Sequence, residues 1–112
     1  MSSNTPEHLN PNAKFLVIAE ITFSDSGKAD GFEKHALAIQ KVSNSDKEPG
    51  TLMFRISRGI SPDEHHKFTA LEEYANKAAY ERHQNSEAFK ALTSSDVMDA
   101  VEMQLAFRQE CF

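Results

Sequence analysis

The chain has 112 residues and 12 Lys and Arg against 17 Asp and Glu, a formal charge of −5. That length is one domain with room for one core, and the acidic balance, with no local basic cluster, excludes an electrostatic surface for nucleic acid. No run approaches the ~20 apolar residues of a membrane span, the N-terminus lacks the apolar stretch of a secretory signal, and the lone Cys111 excludes an internal disulfide, so a soluble cytoplasmic protein is expected.

Residues 1–13 carry two prolines and three asparagines with almost nothing apolar, which predicts a flexible arm ahead of a domain over residues 14–112. Phe15 to Phe23 is a strand by its β-branched and aromatic content. One face, Phe15, Val17, Ala19, Ile21 and Phe23, is wholly apolar; the other, Leu16, Ile18, Glu20 and Thr22, is mixed. The segment Ser24 to Gly31 is a loop with helix-start chemistry, where Ser26 or Asp30 would cap. From Phe32 to Val42 apolar residues recur at helical spacing, with His35 on the same side as Phe32 and Ile39.

Pro49-Gly50 is a turn signal before a strand from Thr51 to Arg58, whose alternation puts Leu52, Phe54 and Ile56 on one side. A hairpin connection leads to a third strand from about His66 to Tyr74, with Phe68, Ala70, Glu72 and Tyr74 on one face. Asn76 caps a short helix that turns Ala79, Tyr80 and His83 to one side. Ser86 restarts a turn or two in which Phe89 and Leu92 are the apolar pair. A fourth strand, Ala100 to Gln109, alternates Val101, Met103, Leu105 and Phe107 against Glu102, Gln104, Ala106 and Arg108.

The order β-α-β-β-α-β is the split βαβ, ferredoxin-like arrangement of the α+β class, a four-stranded antiparallel sheet with helices on one face. The apolar strand faces then lie under the helices. The opposite face mixes Leu16, Ile18, Met53, Leu71 and Ala106 with charged and polar residues, too apolar to stay wet and too polar for a core. A second copy packed sheet to sheet accounts for it, so a homodimer is expected.

Glu72 interrupts an apolar face, and a carboxyl there is paired, hydrogen-bonded or shifted in pKa; it belongs either to a pocket between sheet and helices or to a structural network. His83 shares its helix face with Tyr80 and is either a satisfied core histidine or a proton carrier for that pocket. His35 is a second candidate pocket histidine. His65-His66 point to opposite sides of a strand and cannot chelate one ion without a kink, and no metal or cofactor motif is present.

Ala19-Glu20, Glu48-Pro49-Gly50-Thr51, Glu72-x-Tyr74, Ala79-x-x-x-His83-x-x-Ser86-x-x-Phe89 and the ending Val101-Glu102-Met103 occur in this order. Together, from Phe15 to Phe107, they resemble the antibiotic biosynthesis monooxygenase (ABM) family of small dimeric α+β barrels. The resemblance implies a cofactor-independent monooxygenase acting with O₂ on a small aromatic, quinol or polyketide-like phenol. It implies His83 as the base, Glu72 orienting it, and Tyr74 or Tyr80 donating to the developing oxyanion. Phe54, Phe89, Tyr80, His35 and Arg58 would bind substrate.

The family's haem-degrading branch fits poorly: the chain has no Trp, with His83 in that branch's Trp slot, Ile21 where it places an Asn and Thr93 where it places an axial His. Two other readings use the same pocket, an isomerase or cyclase in which His83 shuttles a proton without O₂, and a dimer that binds a small ligand without turning it over. A phosphate-bearing substrate would call on Arg58, Arg82 and Lys90.

Overall fold

The structure is a computed structural model that describes residues 5–110; residues 1–4 of the expected arm and Cys111 lie outside them. Strand β1 (Phe15–Phe23) leads to helix α1 (Ser26–Ser43), strands β2 (Thr51–Arg58) and β3 (Lys67–Tyr74), helices α2 (Lys77–Gln84) and α3 (Glu87–Thr93), a 3₁₀ turn (Asp96–Ala100) and strand β4 (Val101–Gln109). The sheet has four antiparallel strands in the order β2-β3-β1-β4, the α+β ferredoxin-like arrangement. Among the described residues no helix is long and apolar enough to cross a membrane.

Burial follows the apolar alternation of β1, where Phe15, Val17, Ala19, Ile21 and Phe23 are all buried under the helices. Beneath α1, Phe23, Phe32 and Phe68 stack with ring centroids 4.8–5.9 Å apart and anchor the larger core cluster. A second cluster of Phe15, Val17, Tyr74, Ala79 and Tyr80 fills the other end of the sheet, with Leu9 packed on it. Leu9 belongs to residues 5–13, which run beside α2 and β4: the Lys77 N–H donates to Pro11 at 3.0 Å, and Asn10 pairs with the Gln109 side chain.

Helix α1 begins earlier than its apolar spacing predicts. Asp25, rather than Ser26 or Asp30, is the cap, its carboxylate accepting from the Gly27 and Lys28 N–H groups. Residues 26–31 of α1 read as loop because they contain Gly27 and Gly31, yet Gly31 is required by packing. A Cβ there would lie 2.7 Å from Val97 Cγ1, where the helix meets the 3₁₀ turn. Helix α1 also tends the exposed edge of β2: the Gln40 side chain accepts from the Ile56 N–H and the Asn44 side chain donates to the Phe54 carbonyl.

Strand β2 does not alternate cleanly. A bulge at Thr51–Met53 pairs Thr51 with Tyr74 and Met53 with Glu73, so Leu52 is the extra residue. Thr51 therefore turns in with Phe54, while Leu52, expected on the inner side, is 51% exposed. Helices cover β2, β3 and β1 but not all of β4: Met103 and Leu105, on its inner side, are 43% and 36% exposed. On the outer face Leu16, Leu71 and Leu52 stand open.

Candidate active site

Between the inner face of the sheet and the helices is a cavity of about 250 Å³, open beside Met103 and Leu105 of β4. Its wall is mostly hydrocarbon from Val17, Ala19, Ile21, Phe32, Ile39, Phe54, Phe89 and Leu92. The polar exceptions are Glu72, Tyr80, His83, Gln84 and Thr93; no Lys or Arg of the described residues lines it. A small, dry hollow with a few placed polar groups is the form ligand sites take.

His83 comes from the last turn of α2, which starts at an Asn76 cap accepting from the Ala79 N–H and buries Ala79, Tyr80 and His83 on one face. The ring is 1% exposed and lies among Phe54, Tyr74 and Phe89, with centroids 5.2–5.4 Å away. Its Nδ1 is 2.9 Å from Glu48 Oε1 and 3.1 Å from Ser43 Oγ. Glu48 Oε1 also receives the Thr51 hydroxyl at 2.9 Å. A carboxylate can only accept, so the proton of neutral His83 sits on Nδ1. Glu48 and Ser43 do not line the cavity and His83 does; with the proton on Nδ1, Nε2 is the ring's proton acceptor.

Local structure holds this arrangement. Helix α1 ends at Ser43, the loop that follows carries Glu48, and the β2 bulge points Thr51 inward. Gly50 lets the loop touch α2, because a Cβ there would lie 2.5 Å from the Ala79 Cβ. The Ala75 N–H donates to the Gly50 carbonyl at 2.9 Å and pins the same junction.

Glu72 lies on β3 opposite Val17 and Phe54, 8% exposed, and accepts on Oε1 from the Tyr74 hydroxyl at 2.5 Å. No cation pairs with it among the described residues. Burial pushes its carboxyl up to about 7, with the Tyr74 hydrogen bond pulling the other way. Burial, followed by the adjacent Glu72, pushes the Tyr74 phenol far above its ordinary value, so Tyr74 keeps its proton and donates it. Burial lowers the His83 pKa against the opposing hydrogen bond and charge of Glu48, so His83 is neutral at physiological pH.

The expected residues are thus partly gathered. His83, Glu72, Tyr80, Phe54 and Phe89 line one cavity. Tyr74 is fully buried behind Glu72 and does not line it. Glu72 does not hold the imidazole; Glu48 does, because the loop before β2 folds under α2. His35 is half-buried on α1 and is not part of the cavity wall. Arg58 sits at the far end of β2, paired with Asp30 at 2.9 Å and Glu33 at 3.0 Å and stacked over Phe68, where it ties α1 to the hairpin. His65 and His66 fall in the hairpin turn, since β3 starts at Lys67, and no group of three or more metal-ligating side chains forms among the described residues.

Glu48, Ser43 and Thr51 are the residues that periodicity could not single out. Glu48 stands in a polar loop beside Pro49-Gly50, the usual setting of a surface charge. The one available signal was its place in the string Glu48-Pro49-Gly50-Thr51, read above as a mark of fold.

A family model described as antibiotic biosynthesis monooxygenase matches residues 14–94. No curated protein matches the chain. Among solved structures it is similar to a candidate antibiotic biosynthesis monooxygenase of Caulobacter crescentus CB15, at 26% identity over 89% of this chain and 93% of that one, TM-score 0.67. It is similar also to a protein of Pseudomonas aeruginosa (PA3566), at 25% identity over 90% and 99% of the two chains, TM-score 0.69. A Mycobacterium tuberculosis protein (Rv0793) shares the fold at TM-score 0.73 with 14% identity, over 89% and 97% of the chains.

Proposed function

The chain belongs to the antibiotic biosynthesis monooxygenase family, and on that premise we propose that it is a cytoplasmic monooxygenase that oxidises a small phenol or quinol with O₂ and without a cofactor. The observation that carries the reading is His83 on the wall of a dry apolar cavity, its Nδ1 anchored to Glu48 and its Nε2 left to accept a proton.

In this mechanism the substrate lies among Phe54, Phe89 and Tyr80, and Nε2 removes its phenolic proton. The resulting anion, held away from water, is electron-rich enough to reduce O₂, and the two radicals recombine on carbon. The peroxide so formed loses water as its O–O bond breaks and the hydrogen on that carbon leaves as a proton: one oxygen atom stays on the substrate, the other leaves as water, and the substrate supplies all four electrons. Positioning and desolvation are what the protein contributes, together with a base worth roughly 10²–10⁴-fold. Glu48, in place of Glu72, orients the imidazole. A homodimer forms through the outer sheet face, where Leu16, Ile18 and Leu71 meet a second copy, and together the two sheets make the barrel.

The absence of Lys and Arg from the cavity wall, among the described residues, argues against a phosphate-bearing substrate. The pairing of His83 with a carboxyl of raised pKa in one cavity favours one alternative, isomerisation by proton transfer without O₂. An oxygen-electrode screen against hydroquinones and naphthols, with His83→Ala alongside, decides between them. Uptake by the wild type that is lost in His83→Ala is the expected result. Product without uptake selects the isomerase, and equal uptake by both proteins removes His83 as the base.

A further inference from the structure

Glu48 takes the role of holding His83, which leaves Glu72 on the cavity wall with one phenol as its hydrogen-bond partner among the described residues. We infer that Glu72 is a second catalytic group: a carboxylic acid whose Oε2–H donates a hydrogen bond to an oxygen of the bound molecule while His83 takes a proton from another. The inference rests on the phenol-binding reading above and narrows its substrate class.

Four observations support it. Tyr74, fully buried and outside the cavity wall, donates to Oε1, so among the described residues Oε2 is the unengaged oxygen of a residue that lines the cavity. The neighbours of Glu72 across the sheet are Val17 and Phe54, which offer an ionised carboxylate nothing. The titratable groups around it are Tyr74, Tyr80, His83 and, beyond His83, Glu48; among the described residues no Lys or Arg pairs with it or lines the cavity. Burial raises its pKa accordingly. A neutral carboxyl in an apolar wall is a hydrogen-bond donor aimed at developing negative charge.

A ligand that uses both groups carries one phenolic O–H for Nε2 and a second oxygen for Glu72. Hydroquinones and hydroxyquinones have that pattern; simple phenols do not. No bond is made or broken at Glu72: its proton stays on Oε2, shared with the ligand oxygen.

The test uses the full chain under argon, with 1,4-dihydroxynaphthalene and 1-naphthol as probes that differ by one hydroxyl. The wild type is expected to bind the diol roughly 3–10-fold more tightly, the worth of one hydrogen bond. Glu72→Gln, whose amide still donates, keeps that preference, and Glu72→Leu loses it. Infrared difference spectra at pH 6 are expected to show a protonated-carboxyl C=O stretch that shifts when the diol binds and is missing from Glu72→Gln. If Glu72→Leu fails to fold, the spectra and the Gln variant still decide. An unchanged preference in a folded Glu72→Leu, or no protonated-carboxyl band, overturns the inference while leaving the base and its substrate standing. If neither probe binds, the phenol-binding reading falls and the inference with it.

Discussion

Among the described residues two glutamates are buried, and their surroundings differ in kind. Glu48, 4% exposed, is met by an imidazole N–H and a threonine hydroxyl, both donors, beneath a helix that ends at its partner. Glu72, 8% exposed, accepts from one phenol and pairs with no cation among the described residues. The same side chain therefore does two jobs: one glutamate organises a base, and the other, with a single phenol and no cation beside it among the described residues, is held toward its neutral form. Partners, more than depth of burial, decide what a buried carboxyl can do.

The contrast breaks most visibly at His83, which Glu48 holds and which shares the cavity with Glu72. His83→Ala is expected to lower kcat/KM by about 10²–10⁴-fold on any substrate that supports oxygen uptake, the usual worth of a general base. Its far-ultraviolet circular dichroism should stay that of the wild type. Next in size is the partner that holds it. Glu48→Leu strands the Thr51 hydroxyl in a buried corner and leaves the Nδ1–H only Ser43 Oγ, and is expected to cost about 1–3 kcal/mol in urea unfolding. Glu48→Gln keeps an acceptor but removes the charge that opposes desolvation, so the folded-state pKa of His83, read by nitrogen NMR, should fall further below its ordinary value. An unchanged His83 pKa in that variant would show that Glu48 packs beside the ring without tuning it.

Glu72 should show the opposite sense. Its folded pKa is raised from 4.5 to about 7, so between those values the native state holds a proton that the unfolded chain has released. That contribution is fully present below pH 4.5 and is lost as pH rises through 7. His83 works against it: its folded pKa is lowered, so its contribution is lost as pH falls below 6.5. Comparing wild type with Glu72→Gln cancels the histidine. The variant, which cannot ionise, is expected to gain roughly 2–3 kcal/mol on the wild type between pH 5 and pH 8, by ~1.4 kcal/mol per pKa unit. Parallel stability curves would mean that Glu72 is ionised in the native state throughout.

Much of this molecule was legible in its sequence, because burial imposes a period. β1 and β2 begin and end where alternation and composition put them, and the Asn76 and Ser86 caps are side-chain chemistry that a sequence displays. What escaped depends on contacts between distant segments. Gly31 reads as a helix breaker until Val97 is seen to need the space. One extra residue at Leu52 turns the start of β2 around without disturbing its hydrophobicity. Glu48 becomes part of the site only when its loop passes beneath α2. The sequence therefore displayed the glutamate that violates a pattern, Glu72, and hid the one in a loop where no pattern exists to violate.

Arg58 supplies the smallest test, and it checks the claim from outside the cavity. As a cation near the end of β2 it looked suited to bind an anionic substrate, yet its guanidinium is spent on Asp30 and Glu33, both substantially exposed, at the opposite end of the sheet from His83. Solvent screens such pairs, so Arg58→Gln is expected to cost only about 1 kcal/mol of stability, and less at high salt. KM for a neutral quinol should stay where it was, since no part of that side chain lines the cavity. A several-fold rise in KM with unchanged stability would put a cation back at the mouth of the site. It would also weaken the contrast drawn between the two glutamates, because an approaching guanidinium would favour the ionised form of Glu72.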